Sequence, residues 1–246
     1  MPMQLKSLLF SASLLALPTL ANADALSFTV GGGFWNETPS GYIQKTGDPA
    51  QVDLKDNLFL DSSSQTYLFA TFEHFVPLIP NVRVLYTSLD HTGNGNTSFT
   101  FDGKTFNGNV ASDIKLQSLD LIAYYELLDN VVSLDLGLTV RQLSIDYTIR
   151  STGSLSTDSI DQTIPMLYAL VGASPWPDLI ISGELNYISY SGNTLSDMTA
   201  KVAYTTSFLV GVEAGYRKQT ITLDDVDNSN ADITFDGLFV GAYLKF

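Results

Sequence analysis

The chain is organised by a two-residue alternation of apolar and polar positions that recurs along most of its length. Val132, Leu134, Leu136, Leu138 and Val140 alternate with Ser133, Asp135, Gly137, Thr139 and Arg141. Phe208, Val210, Val212, Ala214 and Tyr216 alternate with Leu209, Gly211, Glu213, Gly215 and Arg217. Near the start, Leu26, Phe28, Val30 and Phe34 share one face with Gly32, and Ser27, Thr29, Gly31, Gly33 and Trp35 share the other. A period of two is that of a strand whose faces meet different solvents. The pattern predicts strands at 25–36, 63–75, 81–92, 117–128, 131–149, 162–173, 178–190, 195–205, 207–223 and 232–246. Strand-breaking clusters between them are alternately short, as at Pro77 to Asn81, and long, at 37–62, 93–116, 150–161, 191–194 and 224–231. Within 93–116, Asp102-Gly103 flanked by aromatic and β-branched residues is a hairpin signal that carries two strands on above a membrane.

An even number of such strands, with short turns at one end and long loops at the other, predicts an all-β fold: a closed antiparallel up-and-down transmembrane β-barrel of about ten strands, with eight or twelve also compatible with the length. Closure is needed because an open sheet edge in lipid leaves backbone groups unpaired. A lipocalin-like barrel in water, with its apolar face inward, is the rival fold. Charges of both signs on one face, long loops at one end only and a terminal aromatic oppose it.

Before the first strand, Leu8 to Leu20 is apolar, follows Lys6 and ends in Ala21-Asn22-Ala23. Thirteen residues are too few for a bilayer helix, which needs about 20; small residues three apart mark a signal-peptide cleavage site. Residues 1–23 are therefore expected to be an export signal, and 24–246 the barrel in a bacterial outer membrane.

Composition narrows the function. The 246 residues hold 26 acids against 12 bases, a formal charge of −14, so a nucleic-acid partner is not expected. With no cysteine, disulfides, thiolate metal sites and a lipid anchor are excluded. Charged residues make up 15% and mean hydropathy is +0.13, as expected when half of each strand faces lipid.

If the apolar face looks outward, the in-strand charges Glu73, Arg83, Asp120, Glu126, Asp135, Arg141, Glu184, Lys201, Glu213, Arg217 and Lys245 look inward. Six acids and five bases in a narrow lumen suggest a salt-bridged, side-chain-filled interior, because an unpaired buried charge is costly. The remaining acidity belongs to the loops, with Asp48, Asp53, Asp56 and Asp61 in the first and Asp224, Asp225, Asp227 and Asp232 at the last. Two weak sites stand beside this reading. Asp225, Asp227 and Asp236 have oxygen-ligand spacing but lack the glycine and final glutamate of a calcium loop, so no metal or other cofactor is expected. His91, after Asp90 at the long-loop end, is the candidate catalytic residue for a hydrolase or lipid-modifying enzyme of the outer rim. Phe75, Tyr86, Tyr125, Tyr187, Tyr204 and Tyr243 are girdle candidates.

Leu238, Val240, Ala242, Leu244 and Phe246 form the apolar face of a last strand ending on an aromatic. It resembles the terminal strand that outer-membrane barrels present to their assembly machinery, with Leu244 and Phe246 as the signal. Val30-Gly31-Gly32-Gly33-Phe34-Trp35-Asn36 with Pro39-Ser40-Gly41, Phe72-Glu73-His74, Tyr124 to Asn130, Asn186 to Tyr190, Gly215-Tyr216-Arg217 and Leu223 to Asp227 make the mature chain similar to a family of proteobacterial outer-membrane β-barrel proteins marked by an N-terminal glycine pair. The resemblance implies fold and location and carries over no activity. The expected role is a monomeric structural or interaction barrel with acidic extracellular loops, in contact with lipid and lipopolysaccharide. A narrow pore for small solutes is the first alternative and the rim enzyme the second.

Overall fold

The computed structural model describes residues 26–246 apart from Asp227; the expected export signal, 1–23, lies outside the described residues. The described residues form eleven strands, β1 (Leu26–Lys45), β2 (Val52–Asp53), β3 (Ser63–His74), β4 (Asn81–Phe101), β5 (Lys104–Asp129), β6 (Val132–Ser151), β7 (Ser154–Trp176), β8 (Leu179–Tyr190), β9 (Asn193–Thr205), β10 (Val210–Val226) and β11 (Ser229–Lys245). Each pairs antiparallel with its neighbour, and β11 returns to β1 from Thr29 opposite Lys245 to Lys45 opposite Ser229. Beyond that register, Phe28 and Phe246 exchange backbone hydrogen bonds of 3.1 and 2.8 Å. β2 pairs only with the end of β1, so the wall has ten strands. The fold is a closed up-and-down transmembrane β-barrel.

The direction of the faces follows the alternation. Phe34, Leu68, Leu138 and Val240 are about 60% exposed on the outer wall, whereas Trp35, Arg141, Asp120 and Thr139 are fully buried inside. This excludes the lipocalin-like arrangement, because an apolar wall of this extent needs an apolar solvent. Tyr125, Tyr187 and Tyr204 are half exposed on that wall. Tyr243 is not a girdle residue: its ring lies inside against Phe69, and its hydroxyl pairs with that of Thr205.

The segments expected to be long loops are mostly strand. β4 and β5 stay paired out to Phe101 opposite Lys104, and β6 and β7 out to Ser151 opposite Ser154. The reason is that 93–116 and 141–166 keep the two-residue alternation while losing the apolar outer face, which leaves strand geometry intact outside lipid. The wall is therefore uneven at this end. β7 pairs with β8 only up to Leu167 opposite Tyr187; beyond that, among the described residues, it pairs with β6 alone.

Among the described residues, 46–62 is the one long connection between wall strands. It folds inward as a cap, burying Val52, Leu54, Leu58 and Leu60 against Phe101, Phe106, Val110 and Ile149. Asp53 shapes it by accepting the Lys55 and Asp56 amides, both at 2.8 Å. Asp48 fastens it to the β4–β5 tip by accepting the Asp102 and Gly103 amides at 2.8 and 3.0 Å. At that tip, the Lys104 ammonium donates to Asp102 and holds its carboxyl below the usual carboxylate range.

Glycines inside the wall make room for rings. A Cβ on Gly33 would meet the Val240 carbonyl oxygen and, at 2.8 Å, the Tyr67 hydroxyl. One on Gly95 would lie 2.5 Å from the Phe59 ring of the cap. Gly33→Ala is therefore expected to lower stability by about 2 kcal/mol or more through overpacking. Gly183→Ala, whose nearest neighbour would be 3.9 Å away, should change it little. Urea midpoints of the two variants refolded into lipid vesicles check this difference.

Candidate functional site

The lumen has three levels. The middle one is held by Asp197 of β9. Its Oδ2 accepts from Arg141 Nη2 at 2.7 Å and from Arg217 Nη2 at 2.6 Å, and its Oδ1 accepts from Arg217 Nε at 2.9 Å. Arg141 in turn makes a bidentate pair with Asp120 at 2.7 and 2.6 Å. Arg217 also donates to Thr87 at 3.0 Å and lies 4.8 Å over the Trp35 ring. The chain of contacts runs from β5 and β6 through β9 and β10 to β4 and β1, across the barrel. All four charged groups are at most 5% exposed.

Towards the short turns, Arg83 pairs with Glu184 at 2.6 Å and lies over the Phe69 ring. Lys201 pairs with Glu213 at 3.1 Å, and the Tyr67 hydroxyl donates to Glu213 at 2.7 Å. Below these pairs a vestibule of about 250 Å³ opens, lined by Glu73, Glu126, Asp129, Asp135 and Lys245 among others. Tyr124 donates to Glu73 there at 2.8 Å. Above the Asp197 level lies an apolar chamber of about 90 Å³ beneath the cap.

The eleven charges expected inside thus fall into three groups. Asp120, Arg141 and Arg217 come together at the centre; Arg83, Glu184, Lys201 and Glu213 lie just below; Glu73, Glu126, Asp135 and Lys245 ring the vestibule. Sequence reasoning missed the acid at the centre of the network. Asp197 has the same parity as Lys201 on one strand, which was the available signal. It also missed Glu37, placed in a loop although it shares the face of Trp35 on a strand that runs on to Lys45.

His91 is not a rim residue. It is 3% exposed, stacks on Phe235 at 5.9 Å between centroids, and its Nε2 lies 2.5 Å from the buried Glu37 Oε1. Its position on the inner face of β4 follows from the same alternation that buries Leu89. The acidic metal candidate does not assemble either. Asp236 lies opposite Lys218, and Asp225 is seven positions further along β10, on the order of 20 Å at the usual strand rise. Asp236 accepts from Tyr216 and Asp225 from Thr46; Asp227 lies outside the described residues. Leu244 and Phe246 point outward, 41% and 60% exposed, and the Phe246 ring stacks on Phe28.

No protein-family model matches the chain, and no curated protein matches it. Solved structures do. The outer membrane protease OmpT from Escherichia coli superposes with a TM-score of 0.58 over 89% of this chain and 97% of that one, at 9% identity. The attachment invasion locus protein Ail of Yersinia pestis covers 89% of this chain and 98% of its own at a TM-score of 0.40 and 12% identity. At 9% identity the OmpT likeness is one of fold alone, and the Ail superposition is too loose to bear on this chain.

Replacing Asp197 by Asn leaves Arg141 and Arg217 without their shared carboxylate. We expect a loss of about 3–5 kcal/mol, the cost of an uncompensated buried charge. Asp158→Asn breaks the long 3.8 Å pair between the exposed Asp158 and the partly buried Lys45, keeps an oxygen for the Ser159 amide, and should cost under about 1 kcal/mol. Urea unfolding in vesicles compares the two.

Proposed function

We propose that the chain is an integral protein of the bacterial outer membrane whose barrel is a closed scaffold, working through the structures it displays outside the membrane. The observation that carries this reading is the Asp120–Arg141–Asp197–Arg217 network, which crosses the lumen with its charged groups nearly fully buried. A narrow pore for small solutes would require these pairs to part, at a cost that buried pairs of this geometry make large. A rim hydrolase has lost its candidate residue, because His91 faces inward against Glu37.

The outer wall, apolar all round, supports residence in a lipid bilayer, and a closed ten-strand barrel supports the outer membrane as that bilayer. The interaction surface in this reading is the tall β4–β7 wall with the tethered cap, facing lipopolysaccharide and the exterior. The outward Leu244 and Phe246 of β11 are the residues through which the barrel-assembly machinery would recognise the chain.

The purified protein should migrate faster on gels unheated than heated and fractionate with the outer membrane; recovery in the soluble periplasm would refute the location. In planar bilayers the wild type is expected to give no steady conductance, whereas the double variant Arg141→Ala/Arg217→Ala, if it still folds, should pass small steps. A steady open current from the wild type would refute the closed scaffold. Truncation of Phe246 is expected to reduce the amount of folded barrel in cells without altering the refolded protein in vesicles.

A further inference from the structure

The chamber under the cap has a mainly aliphatic lining. Below it the charged pairs are interleaved with a packed core of aromatic and aliphatic side chains; around it stand Ile43, Ile145, Ile160, Leu223 and Ile233, with Phe235 and His91 towards the floor, and although Gln44, Lys45, Ser229 and Asn230 also border it, almost none of its surface is polar. These aliphatic side chains point inward and are only partly buried; Ile145, Leu223 and Ile233 pack on the core below and Ile43 on the cap cluster, and the remaining side-chain surface of all five lines the chamber. Water is held poorly in such a space, because it needs two to four polar partners that this lining does not offer. Partly buried isoleucines on an inner face are the expected lining of a site whose occupant is itself apolar.

The size of the chamber limits the occupant. About 90 Å³ is less than the roughly 150 Å³ of an engineered apolar cavity that takes up benzene. A polymethylene chain is thinner than a ring and can enter end-on, its terminal carbons filling the chamber while the rest of the chain lies in the entrance. An entrance exists as well: above Leu167, β7 has no partner on its β8 side among the described residues, and the side chain of Ile160, on that free stretch, lines the chamber. The gap lies just beyond the outer apolar belt, which on β7 ends near Leu167. It is thus placed where hydrocarbon from the outer leaflet or from the exterior would first meet the barrel.

We propose that this chamber is a binding site for a linear alkyl chain, entering through the gap beside β7. Two sources share that chemistry, the acyl tail of a membrane lipid and a free aliphatic molecule. The exterior is acidic: of Asp158 and Asp161 on the free stretch of β7, Asp158 pairs with Lys45, which lines the chamber, and Asp161 leaves the balance negative, which disfavours a free anionic amphiphile and favours an uncharged one.

The test uses the full barrel in lipid nanodiscs with its isoleucine methyl groups isotope-labelled. Titrated 1-octanol should shift the Ile145, Ile160 and Ile233 methyl signals saturably, while Ile181, exposed on the lipid-facing wall, follows bulk partitioning without saturating. Toluene should leave the chamber signals unsaturated. Ile160→Trp fills the chamber from one wall and Leu223→Trp from another; in whichever remains heat-modifiable, the saturable shift should be lost. A lipid spin-labelled at the end of its acyl chain then separates the sources. Broadening of the chamber methyls without octanol assigns the site to lipid tails, and its absence assigns it to a free aliphatic molecule. The proposal is overturned if octanol gives no saturable shift at the chamber, if the tryptophan variants retain it, or if toluene saturates the same signals as well as octanol does.

Discussion

The carboxylate of Asp197, shared by two guanidinium groups in the middle of the barrel, is the interaction on which the rest of the structure depends. A wall that turns every second residue to lipid must turn the others inward, and a ten-strand barrel leaves them little room for water. Charges there are stable only when paired with good geometry. Arg141 and Arg217 use the rigid guanidinium fork to reach Asp197 from opposite strand neighbourhoods, so that one acid ties β6 and β10 together through β9. The pairs Arg83–Glu184 and Lys201–Glu213 extend the same solution towards the short turns.

Shape follows from this interior. Rings pack between the charge levels, with Tyr67, Phe69, Phe239 and Tyr243 in mutual contact. The run Gly31-Gly32-Gly33 lies beside them; its two inward members carry no side chain that would collide with Tyr243, Phe69 or Tyr67. The upper end needs a different device, because the wall there is incomplete. The 46–62 connection turns its four aliphatic side chains in and uses Asp48 and Asp53 as hydrogen-bond acceptors for backbone amides. Acids that look like simple solubilising charge in the sequence are therefore partly the fastenings of the cap.

Much of the barrel was legible as a period-two pattern, because a single geometric rule sets both the strand and its faces. That rule placed Asp135, Arg141, Glu213 and Arg217 inside. It failed where a second cue was allowed to override it. Glu37 and His91 read as loop and rim in the sequence because the apolar outer face ends near them, yet strand pairing continues past both. The exterior changes which residues are tolerated on the outer face and does not end the ladder. Asp197 was missed because its strand has a noisy pattern, with Ala200 and Ala203 giving weak contrast between faces. The cap, the chamber and the gap beside β7 were not legible at all. They depend on how far each hairpin rises relative to its neighbours and on which loop folds inward, and those are properties of the closed barrel.

The central claim is that the lumen is sealed at the level of Asp197, and the absence of cysteine from the chain allows a clean measurement of it. Ser133→Cys would place a single thiol in the vestibule on the short-turn side of the seal. In sealed vesicles of known orientation, a charged, membrane-impermeant thiol reagent should label it from the short-turn side and leave it unmodified when supplied from the cap side. Equal labelling from both sides would contradict the account.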